Sequence, residues 1–161
     1  MNFGSDLVIK LIQFMLAPAV MISACGLLLL GTNNKYSAIA NRIRLLNEER
    51  RRFLFKIKDG KELDIFESTR FSSIMKQLEQ LSCRLNLVRN SIISYSIAIF
   101  LFIVTSLLIG LDFLLQLSLG VVLMLISFIS GMIAVGLGIL FVLLETTKGF
   151  EIINLEIKAE D

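Results

Sequence analysis

A chain of 161 residues that is 55% apolar, with a mean hydropathy of +0.78, has too little polar surface to fold as an ordinary soluble domain of that size. With no histidine, no tryptophan and only two cysteines, Cys25 and Cys83, it offers neither a disulfide framework nor a zinc or haem donor set, and no cofactor is expected. The net charge of +2 is small, but the charges are unevenly distributed.

The first apolar run extends from Leu7 to Leu30, broken only by Lys10 and Gln13 near its start. As a helix it would measure roughly 36 Å, enough to cross a ~30 Å hydrocarbon core. Lys10 is near enough to the end to snorkel to the interface, and Pro18, the only proline, predicts a modest kink. A cleaved signal peptide fits poorly, because no basic cluster precedes the run and the run is too long. Ile22-Ser23-Ala24-Cys25 has the look of a lipobox, but Gly26-Leu27-Leu28-Leu29-Leu30 prolongs the apolar stretch where a lipoprotein would turn polar.

Residues 33–90 change character, with frequent charges and apolar residues at helical spacing. Tyr36, Ile39, Ile43, Leu46, Phe53 and Ile57 recur at steps of three and four, with Arg50 occupying one step. Asp59-Gly60-Lys61 is a turn signal, after which Phe71, Ile74, Leu78, Leu81, Leu85, Val88 and Ile92 form a second stripe. Two helices with one apolar face each should pack as an antiparallel hairpin.

Residues 91–144 form a second apolar run, too long for one crossing and suited to two. Gly110-Leu111-Asp112 is the preferred turn between them, with glycine ending one helix and Asp112 capping the next; Ser118-Leu119-Gly120 is the alternative. The remaining segment, 145–161, carries five acids and two lysines and is expected to order partly against the hairpin. The fold class is therefore all-α: three transmembrane helices with a cytoplasmic antiparallel helical hairpin between the first and second. The segments are 1–32, 33–90, 91–144 and an acidic cytoplasmic tail.

Orientation follows from charge. Between Asn33 and Asn90 thirteen basic residues face seven acidic ones, whereas the other flanks hold only Asp6, Lys10 and Asp112. The positive-inside rule places the hairpin and the C-terminus in the cytoplasm and the N-terminus outside.

Three groups of residues are candidate functional surfaces. Ala19, Ser23 and Gly26 in the first span, and Ser127, Gly131, Ala134 and Gly138 in the third, form small-residue stripes of the kind that let membrane helices approach closely. Such stripes serve packing within one chain or between copies. Three helices alone bury little of each other, so a homo-oligomer is expected, with Gly131→Leu weakening it. Ser91, Ala98, Thr105 and Asp112 repeat every seven residues and would either line a cation-permeable pore in a ring of subunits, or do no more than cap a helix and bond hydroxyls back to the backbone. Arg42, Arg44, Arg50, Arg51 and Arg52 form a basic face for anionic membrane lipids, at ~1 kcal/mol per basic residue near the surface, or for a cytoplasmic or membrane protein partner. Without exposed interleaved aromatics or a recognised module, nucleic acid is not an expected partner. No phosphate loop, nucleophile elbow or Cys-x-x-Cys pair occurs, and the chain is not expected to be an enzyme.

The stretch from Leu16 through Ala17-Pro18-Ala19-Val20-Met21-Ile22-Ser23-Ala24-Cys25-Gly26 to Leu29, leading to Asn41-Arg42-Ile43-Arg44-Leu45-Leu46-Asn47-Glu48-Glu49, resembles a bacterial family known as domain of unknown function 2721. The resemblance covers most of the chain and implies a small bacterial inner-membrane protein with the order span, basic hairpin, span, span. It implies no activity. In topology alone the chain is also similar to proton-channel subunits that energise outer-membrane transport. Those carry an acidic residue within a late span, which this sequence lacks, and proton conduction is not carried over.

Overall fold

The computed structural model describes residues 3–59, 64–115 and 120–160. It is built from three helices: α1 (Phe3–Lys58), α2 (Ile65–Leu115) and α3 (Gly120–Glu160). Each contains a stretch long and apolar enough to cross a membrane. In lipid the backbone has no water to bond to, so every amide in such a stretch must be satisfied within its own helix. Leucine, methionine, lysine, arginine and glutamate, all strong helix formers, carry the helices on beyond those stretches. At 1.5 Å per residue the 56 residues of α1 extend roughly 84 Å, well over twice the thickness of a bilayer core.

The chain divides into two compact units, one of Met1–Thr32 with Asn90–Phe141, the other of Asn33–Arg89 with Val142–Asp161. In the first, Cys25 of α1 and Ala98 and Phe102 of α2 form the core, flanked by Met21, Ile22, Ile99, Phe128, Ala134 and Val135. Tyr95 and Phe102, one heptad apart on α2, are fully buried. They lie against Gly138 and Gly131, one heptad apart on α3: a methyl group at Gly138 would meet Tyr95 Cε1 at 2.5 Å, and one at Gly131 would meet Phe102 Cε1 at 2.8 Å. Pairs that rise on one helix and fall on the other make α2 and α3 antiparallel. Ser127 adds an interhelical hydrogen bond, its hydroxyl donating to the Leu101 carbonyl at 3.0 Å, the kind of polar tie that membrane helices use in place of a hydrophobic drive.

In the second unit the three-four stripes of α1 and α2 turn inward except at Ile57, which is exposed. Ile39, Leu46, Ile74 and Val88 are buried, and Phe53 meets Phe71 edge-on, ring centres 6.1 Å apart. Asp64 opens α2, its carboxylate accepting from the Ile65 amide at 2.8 Å. Exposed ion pairs flank this packing: Arg70 donates to both oxygens of Glu49 at 3.0 and 3.2 Å, and Lys56 pairs with Glu67.

Hydrogen bonds from Arg70 hold the Glu49 carboxyl below its ordinary value, and the bond from Lys56 does the same for Glu67. Both groups are ionised when folded, and the unfolded chain binds protons first. Their contribution is therefore complete above the ordinary carboxylate value of 4.5 and is lost as pH falls through the lowered folded values. The thermal midpoint of the helical circular-dichroism signal should decline over that acid range. The decline should be shallower in a Glu49→Gln/Glu67→Gln variant; an identical slope in the two proteins would contradict the assignment.

The structure corrects the turn between the second and third spans. α2 runs through Gly110, Leu111 and Asp112 to Leu115, so Gly110 ends no helix and Asp112 caps none. The physical reason is the solvent. A helical glycine costs about 1 kcal/mol, whereas backbone groups left open in an apolar medium cost several kcal/mol each, so the helix continues through Gly110. Gly120 of the alternative turn is the first residue of α3, while Ser118 and Leu119, like Gly60 and Lys61 of the first turn, lie outside the described residues.

Candidate functional site

Two places collect polar chemistry, one in each unit. In the first unit, a partly open cavity of about 590 Å³ is bounded by Phe14, Ala17 and Pro18 of α1, by Thr105, Ile109, Asp112 and Phe113 of α2, and by Val121, Met124, Leu125 and Phe128 of α3. That volume lies within the range of small-molecule sites, roughly 300–1,000 Å³. The lining is apolar except for Thr105 and Asp112. Thr105 has spent its only donor, its hydroxyl bonding back to the Leu101 carbonyl at 2.9 Å. Asp112 forms no ion pair among the described residues and is half-buried. Pro18, itself fully buried, has no N–H to give, which deprives the Phe14 carbonyl of its usual helical donor.

In the second unit, Glu145 of α3 is 2% exposed and receives cations from two other helices. Lys35 of α1 donates to Oε2 at 3.3 Å, and Arg84 of α2 donates to Oε1 through Nη2 at 2.6 Å and Nε at 3.1 Å. Gly149, one turn further along α3, leaves room for the guanidinium; a Cβ there would lie 3.2 Å from Arg84 Nη2. Lys148 Nζ lies 3.6 Å from Cys83 Sγ, and both Cys83 and Cys25 are free thiols. The sequence expectation of acidic residues ordered against the middle segment holds for Glu145. Its partners, 110 and 61 residues distant, carried no local signal.

The other sequence candidates fall as follows. Ser91, Ala98 and Thr105 are buried inside the chain at 0%, 0% and 3% exposure, so this face of α2 meets protein of the same chain, and of the four residues Thr105 and Asp112 line the cavity. Within that stripe the Thr105 hydroxyl bonds to the Leu101 carbonyl one turn back, whereas Asp112, inside α2, caps no helix. The two small-residue stripes separate. Ser127, Gly131 and Gly138 are buried and Ala134 is half-buried, all within the chain's own packing. A Gly131→Leu change would therefore strike Phe102 before it touched any neighbouring copy. By contrast Ala19, Ser23 and Gly26 are exposed, and a Cβ at Gly26 would meet nothing within 4 Å.

Arg42, Arg44, Arg51 and Arg52 are exposed and form no ion pair among the described residues. Arg50 departs from them. It occupies its step in the apolar stripe half-buried, and its Nε, closed off from solvent, has no hydrogen-bond partner among the described residues.

Three helices, each with a stretch able to cross a bilayer and joined by segments too short to form another layer, define a multi-pass α-helical membrane protein. The chain belongs to the family described as protein of unknown function (DUF2721), whose family model matches residues 15–155. Comparison with curated proteins and with solved structures finds no match.

Proposed function

We propose that the protein is a homo-oligomeric scaffold or assembly factor of the bacterial inner membrane. Its N-terminus lies outside, and residues 33–90 form a cytoplasmic docking hairpin. The observation that carries this reading is the set of exposed arginines Arg42, Arg44, Arg51 and Arg52, which form no ion pair among the described residues. A predominantly basic surface of this kind attracts anionic headgroups or an acidic partner face. The free small-residue stripe Ala19-Ser23-Gly26 supports self-association, because α3's equivalent stripe is consumed inside the chain.

The decisive measurement is the mass of the intact protein in nanodiscs. It should be a multiple of 18.1 kDa, and Ser23→Ile/Gly26→Ile should return it to one chain without lowering the thermal midpoint. A monodisperse monomer, or an assembly indifferent to that change, would remove the oligomeric reading. A reporter fused at Gly60 should remain inside the cell; its export would reverse the topology. The alternative, a cation-permeable channel lined by the second span, would be favoured by steady current in planar bilayers that Asp112→Asn reduces.

A further inference from the structure

We propose that the cavity in the first unit is a binding site for a lipophilic cation, an apolar body carrying one positive charge or ammonium head, with Asp112 as its counter-ion. The inference does not depend on the oligomeric reading.

The case rests on what the lining lacks as much as on what it has. The cavity of about 590 Å³ presents aromatic and aliphatic side chains from all three helices, so its occupant must be largely apolar. Among the described residues its only charged lining group is the Asp112 carboxylate, which no described cation neutralises. The other polar side chain of the described lining, Thr105, is an acceptor too. Its hydroxyl has committed its proton to the Leu101 carbonyl and can only accept. Among the described lining residues an anion would meet a like charge and no side-chain donor. A neutral hydrocarbon would leave the carboxylate desolvated and unpaired, the costly outcome for a charge next to an apolar surface. A cation with an apolar body satisfies both requirements at once.

The shared chemistry has two sources, an amine-headed membrane lipid or a free amphiphilic cation, and the test separates them. The purified full chain in an uncharged maltoside detergent is titrated with tetraphenylphosphonium by equilibrium dialysis, with protein-free micelles subtracted. Saturable binding is expected, and tetraphenylborate, the same body with opposite charge, titrated separately, should show none. Asp112→Asn should weaken binding roughly tenfold or more, as loss of one partner of a desolvated charge pair does, while Asp112→Glu should retain it. Ala17→Phe, which fills the cavity and leaves the carboxylate in place, should also weaken it; this second variant covers the case in which Asp112→Asn misfolds.

Competition by added phosphatidylethanolamine would identify the natural occupant as an amine-headed lipid. Indifference to it, with binding otherwise as described, would identify a free cation. Three results would overturn the site: non-saturable uptake, equal binding of the borate, or unchanged affinity in both variants. Lys10 is the only basic residue before Lys35, and it supplies a fourth. If tetraphenylphosphonium bound only after Lys10→Gln, the chain's own lysine would be the counter-ion and the proposal would fail.

Discussion

Replacing Glu145 with alanine is expected to loosen the packing of α3 within the second unit by about 1.5–3 kcal/mol, the range for a lost hydrogen bond to a charged group, since the cations left behind stay partly open to water. The Glu145 side chain is 3% exposed, whereas those of its partners Lys35 and Arg84 are 48% and 29% exposed. Without the carboxylate, two cations from different helices would share one site with nothing between them. Arg84 would suffer more, since it is the more buried and makes two bonds to the same oxygen. Glu145→Gln should cost less, because the amide oxygen still accepts from Arg84, although the charge attraction is lost and the amide NH2 cannot accept from Lys35. The double change Glu145→Leu/Arg84→Met should recover much of the loss, since well-packed apolar replacements of buried pairs are often neutral. Amide hydrogen exchange across Val142–Gly149 measures the effect locally, and the thermal midpoint measures it globally. Unchanged exchange in Glu145→Ala would mean that the ion cluster contributes nothing to holding these helices together.

That cluster also marks the boundary of what sequence reasoning could reach. The three spans were legible because a bilayer demands long apolar runs and tolerates almost nothing else. The inward positions Ile39, Leu46, Ile74 and Val88 were legible because steps of three and four single out one helix face. Periodicity names a face without naming what covers it, which is why Ser91, Ala98 and Thr105 could be read as a pore lining although their burial lies within the chain. The turn at Gly110-Leu111-Asp112 was misplaced by capping rules drawn from helices that end in water, where glycine and aspartate are free to stop a helix. Arg50 presented the same ambiguity as the heptad stripe, a charge at an apolar step that sequence groups with its exposed neighbours. The cavity left no linear trace. It depends on Pro18, Asp112 and Phe128 meeting from three helices, and the pairing of Glu145 with Lys35 and Arg84 likewise has no local pattern.

The second large effect is steric. Gly138→Leu is expected to destabilise the first unit by about 1–3 kcal/mol or more, the range for forcing extra carbons into a packed core. The Cβ alone would sit 2.5 Å from Tyr95 Cε1, and Tyr95, fully buried, has little space into which to rotate. Gly131→Leu should act similarly through Phe102, whose Cε1 would lie 2.8 Å away. The two sites are seven residues apart, roughly 10 Å along the helix, so their costs should nearly add. Gly136→Leu is the internal control. It lies on the same helix between the other two, yet a Cβ there meets nothing within 4 Å, and leucine is a better helix former than glycine. The thermal midpoint in nanodiscs should therefore fall by several degrees for Gly138→Leu and Gly131→Leu and hold or rise for Gly136→Leu. Tyr95→Ala should restore part of the Gly138→Leu loss by vacating the volume that the leucine needs, which a generic effect of leucine on α3 would not explain. Equal midpoints for all three glycine variants would show that the aromatic rings do not seat on Gly131 and Gly138, and the register assigned to α2 and α3 would have to be abandoned.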